Sequence, residues 1–346
     1  MIMKKIFNKL FKKNIEPEVS NRITSDTLAH HRERILAGGR RFKYPIQYVR
    51  HKLVFNTIII SVAVLIVITA IGWWQLYPQQ NTSQFMYRVT RVIPVPVATV
   101  DGQFVLYSDY LMLYLSQLQF IETKEQANIK TDDGKRQAAY LKQQTLDKVI
   151  SDAYAKKIAA KLKISVSDVE VESFIKLERQ SDNGEQSSRS FDSVLMEYYN
   201  WTPSEFRYIV KNKLLSQKVA YEVDDKAKSI AEMASSEISL DQKISLKTLS
   251  ENLSNQNNLT IEYGVSGMVS KLKKDGGLAA AAAKMDKNSA PVVVKSTTGK
   301  GYYFIRLLDV NDSNVNYEYF CIPLSKFQDD LKGVIDSGRV HKYIKL

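Results

Sequence analysis

Residues 54–74 read VFNTIIISVAVLIVITAIGWW, 21 residues without a formal charge. The polar side chains in it are Asn56, Thr57, Ser61 and Thr69, and the hydroxyls of the last three can bond back to helix carbonyls. At ~1.5 Å rise per residue, such a helix is about 31 Å long, close to the hydrocarbon thickness of a bilayer. Trp73, Trp74 and Tyr77 fall at its far end, where amphipathic rings favour the lipid–water interface. A buried core helix of this length would show a polar face, and this stretch shows none. A cleaved secretion signal has a short basic leader and a small-x-small site soon after its apolar run. Here 53 residues precede the run and GWWQLYPQQ closes it, so it reads as an uncleaved transmembrane anchor.

The 346 residues leave room for one or two domains beyond the anchor. Net charge is +12, but residues 1–52 carry 13 Lys/Arg against 4 Asp/Glu, whereas residues 53–346 carry 36 against 33. The basic excess therefore belongs to the N-terminal tail, and the nearly neutral remainder argues against a nucleic-acid partner. Arg32, Arg34, Arg40, Arg41, Lys43, Arg50 and Lys52 lie just before the anchor, and only Arg88 and Arg91 follow it closely. The positive-inside rule then places the N-terminus in the cytoplasm and residues 78–346 outside. In residues 1–13, MIMKKIFNKLFKK, apolar and lysine positions alternate at helical spacing. That segment reads either as a basic amphipathic helix on the inner leaflet or as a solvated tail. Residues 14–45 read as a flexible polar segment, with a nucleic-acid arm as the lesser alternative.

Beyond the anchor, residues 78–96 read as a linker turning into strand, with Pro94 and Pro96 restricting it to extended backbone. AspGly at 101–102 between two β-rich runs is a hairpin signal, and Ser108 is the expected cap of the helix that follows. Helical patterns cover 138–163 and a stretch after 164–168 that Ser165 or Ser167 caps; residues 179–190 read as a loop. Thr202, Pro203 and Glu205 make a capping box with proline in the first turn. A polar helical stretch spans 224–250, β-rich runs fill 290–324, and a last helix covers 325–336. Asp132–Asp133 and Asp224–Asp225 read as solvated surface. The lone Cys321 reads as a small buried hydrophobe; one cysteine builds neither a disulfide nor a redox pair.

Four pieces in order give residues 95–223 a resemblance to the N-terminal chaperone domain of SurA-like proteins, which include the PpiD and PrsA foldases. They are the hairpin ValAlaThrValAspGlyGlnPheVal (97–105), the helix with Leu146, Val149 and Ile150, the run IleSerValSerAspValGluVal (164–171), and the helix pair over 191–210. Asn200 stands where that family usually has glycine. Residues 226–310 are similar to a degenerate parvulin-type prolyl isomerase domain of the PpiC kind. ProValValVal (291–294) and the run Gly301–Asp309 resemble its last strand pair. The opening His-Ile-Leu strand is missing, and Tyr303 replaces the histidine of the closing Gly-Tyr-His. The chain's histidines are His30, His31, His51 and His341, so the paired-histidine pocket that this resemblance implies cannot be assembled outside the membrane. The same count disfavours a Ser-His-Asp triad and a histidine-rich metal site.

The expected fold class is α+β, with one N-terminal transmembrane helix, a mostly helical SurA-like domain and a small parvulin-like domain. The expected division is a basic cytoplasmic tail (1–52), anchor (53–77), linker (78–94), chaperone domain (95–223), degenerate parvulin-like domain (224–310), and a C-terminal strand and helix (311–346) that pack back on the chaperone domain. The resemblance implies a membrane-tethered extracytoplasmic chaperone that binds unfolded polypeptide, with membrane lipid and the secretion channel as further partners and no nucleic acid. It implies no catalytic residue, no cofactor and no metal. Candidate client contacts are Tyr107, Tyr110, Tyr114, Tyr198, Tyr199 and Trp201, each weighed against ordinary core packing, with Tyr303 in the vestigial isomerase pocket. Two rival readings are an active prolyl isomerase whose pocket tolerates Tyr303, and a structural component of the envelope or secretion machinery.

Overall fold

The computed structural model describes residues 24–43, 45–181, 184–287 and 289–345. The chain divides into two units, residues 1–74 and 75–346. In the first unit, helix α1 (Ser25–Lys43) precedes α2 (Pro45–Leu76), so the segment expected to be flexible is helical from Ser25 onward. The Thr24 and Thr27 hydroxyls bond at its start, and Asp26 places a carboxylate at the positive end of the helix dipole. The expected amphipathic helix over residues 1–13 lies outside the described residues. Along α2, Lys52–Leu76 is the one stretch among the described residues long and apolar enough to cross a membrane. The apolar side chains of residues 53–71 are exposed, and the Thr57 and Thr69 hydroxyls donate to the Leu53 and Leu65 carbonyls at 2.8 Å, hiding their polarity within the helix.

The second unit opens with a difference from the expected linker: residues 84–92 form a helix, α3 (Gln84–Val92). The Ser83 hydroxyl caps it by accepting from the Met86 amide, and Met86 and Thr90, one turn apart, face inward. Pro94 and Pro96 restrict only the end of the segment, and before them burial at a spacing of four gives a helix. Strand β1 (Pro96–Val100) then turns back as β2 (Gln103–Leu106). Asp101 and Gly102 have φ of +49° and +81°, the left-handed pair a two-residue hairpin needs. On the other edge of β1, β10 (Val340–Lys342) pairs antiparallel, Thr99 opposite His341, so the end of the chain closes the sheet that the hairpin begins.

Strand β2 runs straight into helix α4 (Tyr107–Thr123). Leu106 occupies the cap position with no side-chain bond, so the expected Ser108 cap is not used. After the polar break come α5 (Asp132–Leu162), α6 (Asp168–Glu178), a short ribbon of β3 (Gln180–Ser181) and β4 (Gly184–Glu185), α7 (Ser188–Tyr199) and α8 (Pro203–Val223). Ser167 with Glu170 and Thr202 with Glu205 form complete capping boxes. The first core joins Val97 and Val100 of the sheet, Tyr107, Tyr110 and Leu111 of α4, and Leu146, Val149 and Ile150 of α5. Phe327, Leu331 and Val334 enter the same core from helix α12 (Lys326–Asp336). A smaller cluster of Val166, Val171, Phe174 and Val210 seats α6 on α8.

The remaining elements surround a second sheet. They are α9 (Asp225–Leu240), α10 (Leu246–Asn257), β5 (Glu262–Val265), β6 (Val269–Ser270), α11 (Leu278–Ala282), β7 (Val292–Lys295), β8 (Gly301–Val310) and β9 (Asn314–Pro323). The sheet order is β5-β9-β8-β7, with β6 also on β9. Side chains alternate across it: Tyr302, Phe304, Phe320 and Ile322 pack on α9 and α10, whereas Ile305, Leu307, Val315 and Tyr317 pack on α11. Gly301 is required at its position, because a Cβ there would lie 2.1 Å from the Ile322 carbonyl oxygen. The boundary expected at residue 310 falls between β8 and β9, which pair along ten residues each, so the strand of 311–346 belongs to the second sheet and only α12 and β10 return to the first core.

Asp224 corrects the reading of a solvated aspartate pair. It is 3% exposed: one carboxylate oxygen caps α9 through the Ala227 amide (2.9 Å), and the other accepts from the Ser325 and Lys326 amides (2.8 and 3.0 Å) at the start of α12. Asp132 and Asp133 are solvated, as expected. Cys321 is buried on β9, and burial pushes its thiol pKa up.

Candidate functional site

Helices α4 and α8 do not close on each other along their whole length. Between them lie two adjoining cavities of about 360 Å³ each. One is completed by α5, through Lys148, Val149 and Asp152; the other by α3, through Tyr87 and Arg91. Asp109, Met112 and Tyr208 line both. On α8, Glu205, Tyr208, Asn212 and Ser216 recur at helical spacing and put a polar stripe on one wall. Met112, Leu113, Val149 and Ile209 supply the apolar surface.

A polar strut crosses the groove where the cavities meet. The Tyr208 hydroxyl donates to the Asp109 carboxylate at 2.9 Å and accepts from Lys156 at 2.8 Å, and Lys156 lies 3.2 Å from Asp109. Burial alone would pull the Lys156 pKa down; the Asp109 charge and the Tyr208 contact outweigh it and hold the ammonium above its ordinary value. Burial, with the same Asp109 charge, raises the Tyr208 phenol. At neutral pH the strut is therefore a lysine–aspartate pair bridged by a neutral phenol. The α3 end is fixed by Glu205, whose carboxylate accepts from Tyr87, from Arg91 at 2.9 Å, and from the Thr202 amide and hydroxyl at 2.8 Å each. Burial pushes the Glu205 carboxyl up, but these hydrogen bonds and the Arg91 charge together hold it below the usual range.

Next to that end is a ladder of half-buried rings. Phe120 of α4 stacks on Tyr199 (5.3 Å between centroids), Tyr199 on Trp201 (4.8 Å), Trp201 on Phe206 (6.2 Å), and Phe191 meets Phe206 edge-on at 5.5 Å. The α7–α8 turn makes this possible. Asn200 ends α7 at φ +53°, a left-handed residue that asparagine tolerates and glycine adopts freely, which accounts for the glycine usual there. The indole N–H of Trp201 is buried without an acceptor.

The six aromatic candidates therefore separate. Tyr199 and Trp201 stand in the ladder, and Tyr198 beside it is half-buried under Lys124, 5.4 Å from its ring. Tyr107 and Tyr110 are buried in the first core and Tyr114 is buried beside it: Tyr107 donates to the Leu76 carbonyl at 2.7 Å, and Tyr110 stacks on Tyr114. Burial, with Glu122, pushes the Tyr114 phenol up to about 12. Tyr303 does not line this groove: it lies on β8 opposite Cys321, on the α11 side of the second sheet, with its ring 5.9 Å from that of Tyr319. The groove residues Tyr87, Asp109, Met112, Glu205 and Tyr208 carried no strong sequence signal. The stripe at 205, 208, 212 and 216 was the one local sign, and the capping role of Glu205 absorbed its first member.

The fold and groove define a class: an α+β protein in which a helical layer, closed by the C-terminal helix, holds an open cleft of mixed polarity. Residues 46–220, just over half of the chain, match the family described as the SurA-like N-terminal domain, and the chain belongs to that family. That membership points to a chaperone-like role. Comparison with curated proteins and with solved structures returns no match.

Proposed function

We propose that the protein is a membrane-tethered chaperone that holds unfolded polypeptide outside the cytoplasm without catalysing a reaction. The observation that carries the proposal is the α4–α8 groove, with its aromatic ladder, built from elements within the family-matched residues. An extended chain is recognised by apolar contact and by hydrogen bonds to its backbone, and the groove supplies both kinds of group side by side. Met112, Leu113 and Ile209 offer apolar surface; Tyr208, Asn212 and Ser216 offer donors and acceptors. The stacked rings of Tyr199 and Trp201 extend the surface toward bulky side chains.

Helix α2 gives this binding unit its place. Its length and apolar composition fit a single-pass anchor, and the cations before it fit an N-terminus in the cytoplasm. A tether raises the local concentration of the groove near the membrane, where secreted chains emerge unfolded. The second sheet is proposed as a parvulin-like domain without isomerase function, since Tyr303 occupies the position of the expected histidine and packs within the core.

Photo-crosslinking tests the groove directly. A photoreactive phenylalanine placed at Tyr199 or Asn212 of the full chain in nanodiscs should capture an unfolded polypeptide, whereas the same group at Leu240, 90% exposed at the end of α9, should not. Equal capture at all three positions would defeat the proposal.

A further inference from the structure

Helix α3 presents an unusual outer face. Met86 and Thr90 hold it to the core, while Phe85 and Val92, nearly superposed on the helical wheel, stand 66% and 81% exposed. Ile93, at the end of the helix, is 58% exposed, and Arg88 is exposed on the same arc. A surface helix ordinarily turns its large apolar residues to the core and its polar ones outward. Here a phenylalanine, a valine and an isoleucine project outward beside an arginine. Residues 77–93 contain Arg88 and Arg91 and no acidic residue. Arg91 is engaged by Glu205, which leaves Arg88 as the outward cation of this arc.

The chain also limits where this face can be. Seven residues separate Leu76, the end of α2, from Gln84. The Asn81 amide returns to the Gln75 carbonyl and its side chain to the Gln75 side chain, both at 2.9 Å, so the connection doubles back instead of extending away. We propose that the outer face of α3 rests on the anionic lipid surface, with Phe85, Val92 and Ile93 entering the headgroup region and Arg88 meeting lipid phosphate. This rests on the reading of α2 as a transmembrane anchor. The chemistry is that of an interfacial amphipathic segment: apolar side chains gain by leaving water, and a cation gains by approaching the phosphate of anionic lipid. Such a contact would fix how the groove behind α3 is presented, because Tyr87 and Arg91 of the same helix line it.

The test uses the full chain in vesicles of phosphatidylcholine and phosphatidylglycerol. An environment-sensitive fluorophore is attached at Phe85→Cys, Val92→Cys, Ile66→Cys or Leu240→Cys, and quenching by spin-labelled lipid is measured; Cys321→Ala controls for the buried native thiol. Labels at 85 and 92 are expected to be quenched roughly twofold or more above the label at 240. Arg88→Glu should reduce that quenching, and so should replacing phosphatidylglycerol with phosphatidylcholine. Strong quenching at 66 with none above the 240 level at 85 and 92 overturns the proposal and leaves the anchor standing. Absence of quenching at 66 overturns the anchor and this inference with it. Protection of 85 and 92 that arises only on adding unfolded polypeptide would make α3 a client surface and contradict the lipid contact.

Discussion

The Tyr87 phenol on α3 donates to the Glu205 carboxylate on α8, joining residues 118 positions apart at one end of the groove. The same carboxylate completes the capping box of α8 and accepts from Arg91. One buried side chain thus starts a helix and ties a second helix to it. Glu205→Ala leaves the Tyr87 hydroxyl and the Thr202 amide without their acceptor. The expected cost is about 2–4 kcal/mol, because the lost hydrogen bonds are to a charged group. Tyr87→Phe removes one bond and should cost about 1 kcal/mol. Denaturant midpoints at unchanged slope check both.

The pH dependence follows from the same site. The folded Glu205 carboxyl titrates below its ordinary value of about 4.3, so the stability it contributes is full above that value. It is lost as pH falls through the depressed folded value. The stability gap between wild type and Glu205→Gln should therefore be full at neutral pH and shrink progressively as pH falls below the ordinary carboxyl value. A gap that is constant across that range would contradict the assignment.

Asp224 carries a comparable load between α9 and α12. Asp224→Asn keeps one acceptor for the Ala227 amide and presents an amide nitrogen to the Ser325 and Lys326 amides. It should cost about 1–3 kcal/mol, and Asp224→Ala more. Chemical unfolding that finds Asp224→Asn neutral would refute the two-ended role.

How much of this was legible varies with sequence distance. Asp101–Gly102 and Thr202 with Glu205 act over two to four residues, and both were readable because their chemistry is local; the cap at 165–167 was legible only as one of two serines, which the Ser167–Glu170 box resolves. The α+β class followed from the same local signals. The Tyr208–Asp109 strut joins positions 99 apart, and the β1–β10 pairing joins the two ends of the second unit; no local pattern announces either. Asp224 read as solvent-facing because an Asp-Asp pair at a helix edge usually is, and only the arrival of α12 buries it. Helix α3 lies within a segment that reads as a linker turning into strand because Pro94 and Pro96 restrict its end, whereas the Met86–Thr90 spacing that the core selects is helical.

Gly301→Ala tests the second sheet. Its Cβ would meet the backbone of β9, which cannot move like a flexible side chain, so a loss of at least ~2 kcal/mol is expected. Thermal unfolding provides the measurement. A neutral effect would mean that β8 and β9 are not paired at that position.

The isomerase alternative has its own measurement. Turnover of a proline-containing tetrapeptide by the full chain should equal the uncatalysed rate, since His341 is bound into β10 beside β1, in the other sheet from Tyr303. Clear turnover that Tyr303→Ala abolishes would replace the binding account with a catalytic one.

The central claim is that the α4–α8 groove holds unfolded chains, and suppression of aggregation tests it most directly. The full chain in nanodiscs is mixed with a chemically unfolded protein, and light scattering is followed for wild type and for Asn212→Trp, which fills the cavity from its polar wall. Wild type should suppress aggregation, and Asn212→Trp should require roughly tenfold more protein for the same effect, equivalent to about 1.4 kcal/mol. Failure of the wild type to suppress aggregation, or equal suppression by the filled variant at unchanged stability, would contradict the account.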